Sequence, residues 1–280
     1  MKYLLAGGDE RAMFAAEALT KEGNGVAVCA MDKAELPSGI RKAAEIESAD
    51  CVILPLPVES GRSGMLNAPF AEYPVRAAEL LNKLSPKTLV CGGKISPALK
   101  NIARENDLRI ADIMQRAEFV TGNAAITAEA AVALLMQRTD YALFGRSAMV
   151  IGYGRIGRIL SHKLRALGVK TYIMSRNAES RALATALGCF ALAPDDELPK
   201  LDIVVNTSPA PVMTELTRIC SPCLMLELAS APGGIDGAEA QRLGHRYFAA
   251  PGLPGKYAPR TAGRLIAETV KSLVKEYLNE

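Results

Sequence analysis

Ser147-Ala-Met-Val-Ile-Gly152-Tyr-Gly154-Arg-Ile-Gly157-Arg-Ile-Leu-Ser-His-Lys-Leu-Arg-Ala-Leu-Gly168-Val-Lys-Thr-Tyr-Ile-Met-Ser175-Arg176 decides the fold. The apolar run Ser147–Ile151 reads as a strand, Gly152–Leu167 as a turn and helix, and Val169–Ser175 as a second strand. Strand, helix and strand at this spacing make a βαβ unit, so the two strands lie parallel in one sheet. The pattern Gly152-Tyr153-Gly154-Arg155-Ile156-Gly157 falls at the strand-to-helix turn. Gly152 permits the tight turn, Gly154 lets the backbone approach a pyrophosphate, and Gly157 lets helix and strand pack closely. The helix N-terminus adds unpaired N–H groups and a partial positive charge. A GxGxxG alone is weak; between this strand and this helix it reads as a dinucleotide-binding turn.

The end of the second strand bears on which dinucleotide. NAD sites place a carboxylate roughly 20 residues past the glycines, on the ribose 2′-hydroxyl. Here Ser175 and Arg176 stand in that place. A carboxylate repels a 2′-phosphate, whereas a hydroxyl and a guanidinium bind one. The reading is therefore NADP. If Arg176 merely faces solvent, NAD stays possible.

The same alternation extends in both directions. Asn177–Leu187 reads as a helix stopped by Gly188, and Ile203–Asn206, Leu224–Leu228 and Arg246–Ala249 as further strands. Asn206, Thr207 and Ser208 end one of these strands, where the crevice of an open α/β sheet lies, and are candidates to line the nicotinamide ribose. Glu227 ends the next strand; a buried ion-pair partner and a catalytic group are both open. Gly233 and Gly234 after it suggest close backbone approach. In the first half, Lys2–Ala6, Gly25–Ala30, Asp50–Leu56, Thr88–Cys91 and Leu108–Ile113 alternate with helical stretches at Glu10–Lys21, Phe70–Leu84 and Ser96–Asn106. Ser96 is the expected cap of the last, with Pro97 in its first turn. Thr127–Thr139 has no Gly or Pro and reads as an interdomain helix.

The fold expected is α/β: two Rossmann-like parallel-sheet domains joined by a long helix, with a C-terminal helix crossing back to the first. The expected boundaries are 1–122 for a substrate or partner domain, 123–144 for the interdomain helix, 145–258 for the NADP-binding domain and 259–280 for the C-terminal helix.

Composition limits the function classes. A chain of 280 residues, 49% hydrophobic and 22% charged, is an ordinary globular protein. A net charge of +3 without a Lys/Arg block gives no argument for nucleic acid. No run of about 18 apolar residues predicts a transmembrane helix, and residues 1–9 read as a strand rather than a signal peptide. A cytoplasmic protein is expected, as a homo-oligomer.

Six cysteines stand at 29, 51, 91, 189, 220 and 223. Cys220-Ser-Pro-Cys223 lacks a second pair, so no metal site is expected, and two thiols at a strand entrance are favoured over a redox dithiol. The only histidines are His162, expected to be structural, and His245, expected at the surface. No general acid or base can be named.

Pro251-Gly-Leu-Pro-Gly-Lys256-Tyr-Ala-Pro-Arg260-Thr261-Ala-Gly263 places Lys256, Arg260 and Thr261 beside a helix N-terminus, which makes them a candidate carboxylate receptor. A stiff connection is the other reading.

This segment carries a resemblance, together with Gly7-Gly8-Asp9-Glu-Arg11, Thr127-Ala-Glu129, the glycine turn, Asn206-Thr-Ser-Pro-Ala-Pro211 and Leu228-Ala-Ser-Ala-Pro-Gly-Gly234. Over most of its length the chain resembles the A subunits of dipicolinate synthase. It departs from that pattern at Ala130, where Gly is expected, and at Ala231, where Lys would place a charge toward substrate. The resemblance implies an NADP-dependent enzyme of spore-forming bacteria. It would oxidise a precursor derived from 4-hydroxy-tetrahydrodipicolinate to pyridine-2,6-dicarboxylate, beside a flavoprotein-like B subunit. Aromatisation supplies driving force, so a strong dedicated base is dispensable. On this reading Lys256, Arg260 and Thr261 hold one carboxylate, residues near Gly92-Gly93-Lys94 bind from the other domain, and Arg116 is a weaker candidate. Another NADP-dependent two-domain oxidoreductase acting on a small carboxylate, or a non-catalytic NADP-binding subunit, are the alternatives.

Overall fold

A computed structural model describes residues 1–43, 46, 48–61, 64–211, 215–230 and 232–278. Ala231 therefore lies outside the described residues. The chain forms two compact units, Met1–Asn123 with Ala258–Glu280, and Ala124–Tyr257.

The first unit runs β1 (Lys2–Ala6), α1 (Glu10–Lys21), β2 (Gly25–Cys29), β3 (Arg41–Lys42), β4 (Cys51–Ile53), α2 (Ala77–Asn82), β5 (Leu89–Gly92), α3 (Pro97–Glu105) and β6 (Arg109–Asp112). Helix α4 (Ala117–Arg138) leads into the second unit. There follow β7 (Ser147–Ile151), α5 (Arg155–Ala166), β8 (Lys170–Met174), α6 (Ala178–Ala186), β9 (Phe190–Leu192), β10 (Ile203–Asn206), β11 (Leu224–Glu227), α7 (Gly237–Arg242), β12 (Arg246–Ala249) and α8 (Leu253–Tyr257). Helix α9 (Pro259–Leu278) belongs to the first unit.

Each unit is built on a six-stranded sheet, in the orders β3-β2-β1-β4-β5-β6 and β12-β11-β10-β7-β8-β9. Every strand pair is parallel. Counted from each unit's own first strand, both orders are 3-2-1-4-5-6, the doubly wound arrangement of Rossmann domains. The expected fold class holds in both halves. Central strands such as β7 and β10 are buried almost throughout, because parallel sheets are covered on both faces.

In the first unit α9 packs on α1. Its buried residues Ala262, Gly263, Ile266, Ala267, Val270, Leu273 and Val274 recur at helical spacing. Gly263 makes the close crossing possible: a Cβ there would stand 2.6 Å from Arg11 O and from Phe14 Cβ. Each large buried side chain in this layer, such as Leu19, Ile266 or Val270, contributes about 1.5–3 kcal/mol by leaving water.

Several boundaries differ from expectation. The helix expected from Phe70 begins only at Ala77, since Leu66 N donates to Val75 O at 2.8 Å and Met65 pairs with Arg76, which holds this stretch extended. Pro74 also disfavours helix at the preceding residue. The interdomain helix starts ten residues early, at Ala117. Gly122 concealed this start; a Cβ there would meet Leu265 at 2.9 Å, so the glycine serves packing against α9. The glycine- and proline-rich stretch 250–259 contains α8, which was not anticipated. By length and composition α4 also meets the criterion for a membrane-crossing helix, contrary to expectation, with a window of mean hydropathy 1.5. Half of that window is buried within the protein, as in a core helix.

Candidate functional site

In the second sheet the strand order reverses between β7 and β10, and crevices for ligands form at such points, beyond the carboxyl ends of the strands. The glycine turn stands there. Gly152 adopts φ +91°, a left-handed value that favours glycine, and its N–H donates to Met174 O at 2.9 Å. A Cβ on Gly157 would lie 2.2 Å from Gly152 O, so that glycine is required by the helix–strand contact itself. Gly154 is different: a Cβ there would meet no protein atom within 4 Å. It is the N-cap of α5, with no side chain capping the helix and no acidic residue in the first turn. Free N–H donors facing open space at a helix N-terminus suit a pyrophosphate, so the residues present fit a dinucleotide. Arg155 is exposed beside them. Tyr153 and Ile156 turn inward, Tyr153 with only 5% exposure, so these two offer the ligand backbone rather than side chains.

At the end of β8, Ser175 is buried and its Oγ accepts from Asn177 N at 3.3 Å. Arg176 is exposed. Arg181, on α6, donates through Nη1 to the carbonyls of Ser175 (2.8 Å) and Arg176 (2.9 Å). It fixes the backbone of the two residues on which the NADP reading rests. Nothing in the sequence marked it, because the contact depends on the return of α6 over the strand end.

On the other flank of the crevice, Thr207 Oγ1 donates to Ile151 O at 2.9 Å, joining the ends of β10 and β7. Asn206 is fully buried and spends its amide within the protein: Nδ2 donates to Ser208 O and to both oxygens of Glu227, and Oδ1 accepts from Ser208 N. Ser208 Oγ donates to Ala210 O at 2.8 Å. Glu227 is 4% exposed and also accepts from the N–H groups of Ala229, Gly234 and Ile235. Its partners are an amide and three backbone donors, so among the described residues the ion pair of the sequence reading is replaced by hydrogen bonds. Gly233 and Gly234 pack onto this pair, with Cβ positions 3.1 Å from Glu227 Cδ and 2.6 Å from Asn206 Nδ2; they serve the pair rather than a ligand.

The first unit repeats the geometry and closes it. Gly7 adopts φ +66° and its N–H donates to Cys29 O at 2.9 Å, the counterpart of the Gly152 to Met174 bond. However, Asp9 caps α1, accepting from Arg11 N at 3.0 Å, and its carboxylate pairs with the Arg11 guanidinium at 2.8 Å. Gly8 N is taken by Asn67 O at 2.9 Å, and Leu66 and Ala68 fill the space over Gly7. The first unit's own chain thus occupies the place of a phosphate. Gly92 and Gly93 likewise accommodate Val58 and Leu56, with Cβ positions at 2.7 and 2.5 Å, rather than a ligand. Lys94 has φ +55°, is exposed, and its N–H donates to Asp112.

The residues of the candidate carboxylate receptor are divided between the two units. Lys256 is exposed on α8 of the second unit. Arg260 and Thr261 lie on α9 of the first, where Arg260 pairs with Glu17 at 3.1 Å and covers the Phe14 ring at 4.5 Å. Arg116 is bound to Glu276 at 2.6 Å and to Glu118 at 2.7 Å, which raises its pKa. Among the described residues no cluster of His, Cys, Asp or Glu is placed to hold a metal. His162 is exposed on α5, whereas His245 is 5% exposed, against the surface position expected.

A glycine turn at the switch point of a doubly wound sheet, with an open phosphate cradle, defines a dinucleotide-binding domain of the Rossmann class. Residues 113–217 match the D-isomer specific 2-hydroxyacid dehydrogenase NAD binding domain, and residues 2–114 match the N-terminal domain of the dipicolinate synthase A subunit. The chain is 28% identical to the dipicolinate synthase A subunit of Bacillus subtilis (strain 168), over 99% of this chain and 96% of that protein. The crystal structure of the Bacillus subtilis protein superposes with a TM-score of 0.86, covering 100% of this chain and 98% of that one. The corresponding protein of Bacillus halodurans gives 0.87 at 26% identity, over 98% and 97%. Over residues 2–114 the chain matches the N-terminal domain of dipicolinate synthase A subunits, and over its whole length it is similar to these proteins. A transhydrogenase from Sinorhizobium meliloti shares the fold at 15% identity and a TM-score of 0.69, over 98% of this chain and 92% of that one.

Proposed function

We propose that the chain carries out NADP-dependent oxidation of a 4-hydroxy-tetrahydrodipicolinate-derived precursor to pyridine-2,6-dicarboxylate, in company with a flavoprotein-like B subunit. Similarity to dipicolinate synthase A subunits over the whole chain supports the reaction, and the Bacillus subtilis relative, being one lettered component of a synthase, supports a second component. The observation that carries the cofactor assignment is the uncapped α5 beneath Gly154, combined with a β8 end that bears Ser175 and Arg176 instead of a carboxylate. The bound nicotinamide supplies the hydride acceptor. The chain's own part is positional: the turn 152–157 holds the phosphates, Ser175 and Arg176 the 2′-phosphate, and the loops fixed by Asn206 and Glu227 the nicotinamide side. Lys256 is the cation proposed for one substrate carboxylate, since Arg260 already serves Glu17.

A second reading, a reductase of simple 2-keto acids, draws on the 2-hydroxyacid dehydrogenase match. It is disfavoured by the histidines. His162 lies on α5 and His245 at the amino end of β12, so neither stands at the carboxyl edge of the second sheet, where a general base is needed.

The test is a coupled assay on the purified chain, with and without a B-type partner, using freshly made 4-hydroxy-tetrahydrodipicolinate and either NADP or NAD, followed by absorbance of the pyridine product. NADP-dependent product in either arm supports the reading. Cofactor binding without product, together with turnover of 2-keto acids, transfers it to the second. Equal use of NAD and NADP removes the 2′-phosphate assignment alone. Lys256→Ala is expected to raise KM for the substrate on the order of tenfold or more and to leave NADP affinity unchanged; equal loss of both removes Lys256 from the substrate site.

A further inference from the structure

Cys220 and Cys223 precede β11, at the end of the second sheet opposite the dinucleotide turn. Cys220 is exposed and Cys223 is buried. Only Ser221, which bends the chain, and Pro222 separate them, the Cys-x-x-Cys spacing of dithiol motifs, and Cys220 Sγ lies 3.6 Å from Arg218 O. The sulfur of Cys223 lies 3.5 Å from His245 Nδ1, and the same nitrogen accepts the Cys223 backbone N–H at 3.3 Å. That backbone bond assigns the tautomer: Nδ1 carries the lone pair, so it also faces the Cys223 thiol as an acceptor. Burial keeps this imidazole neutral by lowering its pKa, and burial pushes the Cys223 thiol up to about 12. Cys223 is therefore a protonated thiol by itself, and its sulfur faces an acceptor nitrogen.

We infer that Cys220, Cys223 and His245 form an oxidisable dithiol site, in which exposed Cys220 reacts first with a peroxide and buried Cys223 resolves it with His245 as proton acceptor. In the first step the Cys220 thiolate attacks one oxygen of hydrogen peroxide. An S–O bond forms, the O–O bond breaks, and hydroxide leaves and is protonated to water; Cys220 is oxidised to a sulfenic acid and the peroxide is reduced. In the second step the Cys223 sulfur attacks the Cys220 sulfur. Its proton passes to His245 Nδ1, the S–S bond forms, the S–O bond breaks, and the departing hydroxide recovers that proton through solvent as water. Two thiols and one peroxide yield one disulfide and two waters. A thiol reductant reverses the change by exchange. The division of labour follows from exposure, since the attacking sulfur must meet the oxidant and the resolving sulfur need only meet its neighbour.

The experiment is titration of the full-length protein with hydrogen peroxide, followed by peptide mass mapping. The expected result is loss of two hydrogens confined to the peptide holding both cysteines, reversed by dithiothreitol. Cys223→Ser should arrest the reaction at a sulfenic acid on Cys220 that dimedone traps, and Cys220→Ser, at an exposed position, should abolish both products. His245→Gln should leave sulfenic acid formation unchanged and slow disulfide closure on the order of a hundredfold. The inference is overturned if wild-type Cys220 proceeds to sulfinic acid without a disulfide, if Cys220 resists peroxide, or if His245→Gln closes the disulfide at the wild-type rate. Should His245→Gln fail to fold, the two cysteine variants still decide whether the dithiol exists.

Discussion

Asn206 and Glu227 stand directly across from one another at the ends of β10 and β11, with Asn206 Nδ2 at 2.7 and 2.9 Å from the two carboxylate oxygens. The pair joins the two loops that follow these strands, through Ser208 on one side and through Ala229, Gly234 and Ile235 on the other. A buried carboxylate is tolerated here because hydrogen-bond donors surround it. Glu227→Ala would leave three backbone N–H groups without their acceptor and the Asn206 amide with Ser208 O alone. It should cost about 3–5 kcal/mol, read as a lower urea midpoint, and should weaken cofactor binding as well. Wild-type stability with abolished turnover would instead mark Glu227 as catalytic.

The three glycines of the turn have separable tasks. Gly154→Ala adds a methyl group to open space, so thermal unfolding should be almost unchanged while nucleotide affinity falls on the order of tenfold or more. Gly157→Ala forces a carbon onto Gly152 O and should lower the melting temperature by several degrees with or without nucleotide. Identical behaviour of the two variants would contradict this division.

Arg181 is a positioning residue for the strand end. Arg181→Met removes the donor to the Ser175 and Arg176 carbonyls. The expected loss is about 0.5–1.5 kcal/mol of stability. If Arg176 binds the 2′-phosphate, the ratio of NADP to NAD affinity should fall severalfold as well. Isothermal titration with both nucleotides separates the two effects, because a purely structural role leaves the ratio unchanged.

Burial of His245 makes stability depend on pH in a definite direction. The folded imidazole has a pKa below its usual value near 6.5, so the unfolded chain takes up a proton first as pH falls. Its contribution is complete above the unfolded pKa and is lost as pH drops through the window beneath it. Urea unfolding at pH 7.5 and 5.5 should show lower stability at 5.5, and His245→Gln should reduce the difference. An unchanged difference in that variant would assign the effect to other groups.

Local chemistry made much of this protein legible. The strand, glycine turn and helix at 147–167 carry their signal within a few residues, and so does the cap at Ser96. The doubly wound class follows from such units repeated along the chain, and the carboxylate-free end of β8 can be read directly. What the sequence could not supply are relations between residues distant in the chain. Glu227 was ambiguous until Asn206 came to lie opposite it, and His245 looked exposed until Cys223 covered one face. Arg116 and Arg260 looked available until helix α9 brought Glu276 to one and α1 brought Glu17 to the other. The twin turn at Gly7 could have held a phosphate until Asn67, Leu66 and Ala68 closed it. By itself, then, the sequence determined most of the elements, their parallel arrangement and the glycine turn, because backbone conformation and periodic burial are set by neighbours in the chain. The tertiary structure alone decided which charges are spent on the fold and which remain for a ligand, because a charge is neutralised by whatever packs against it.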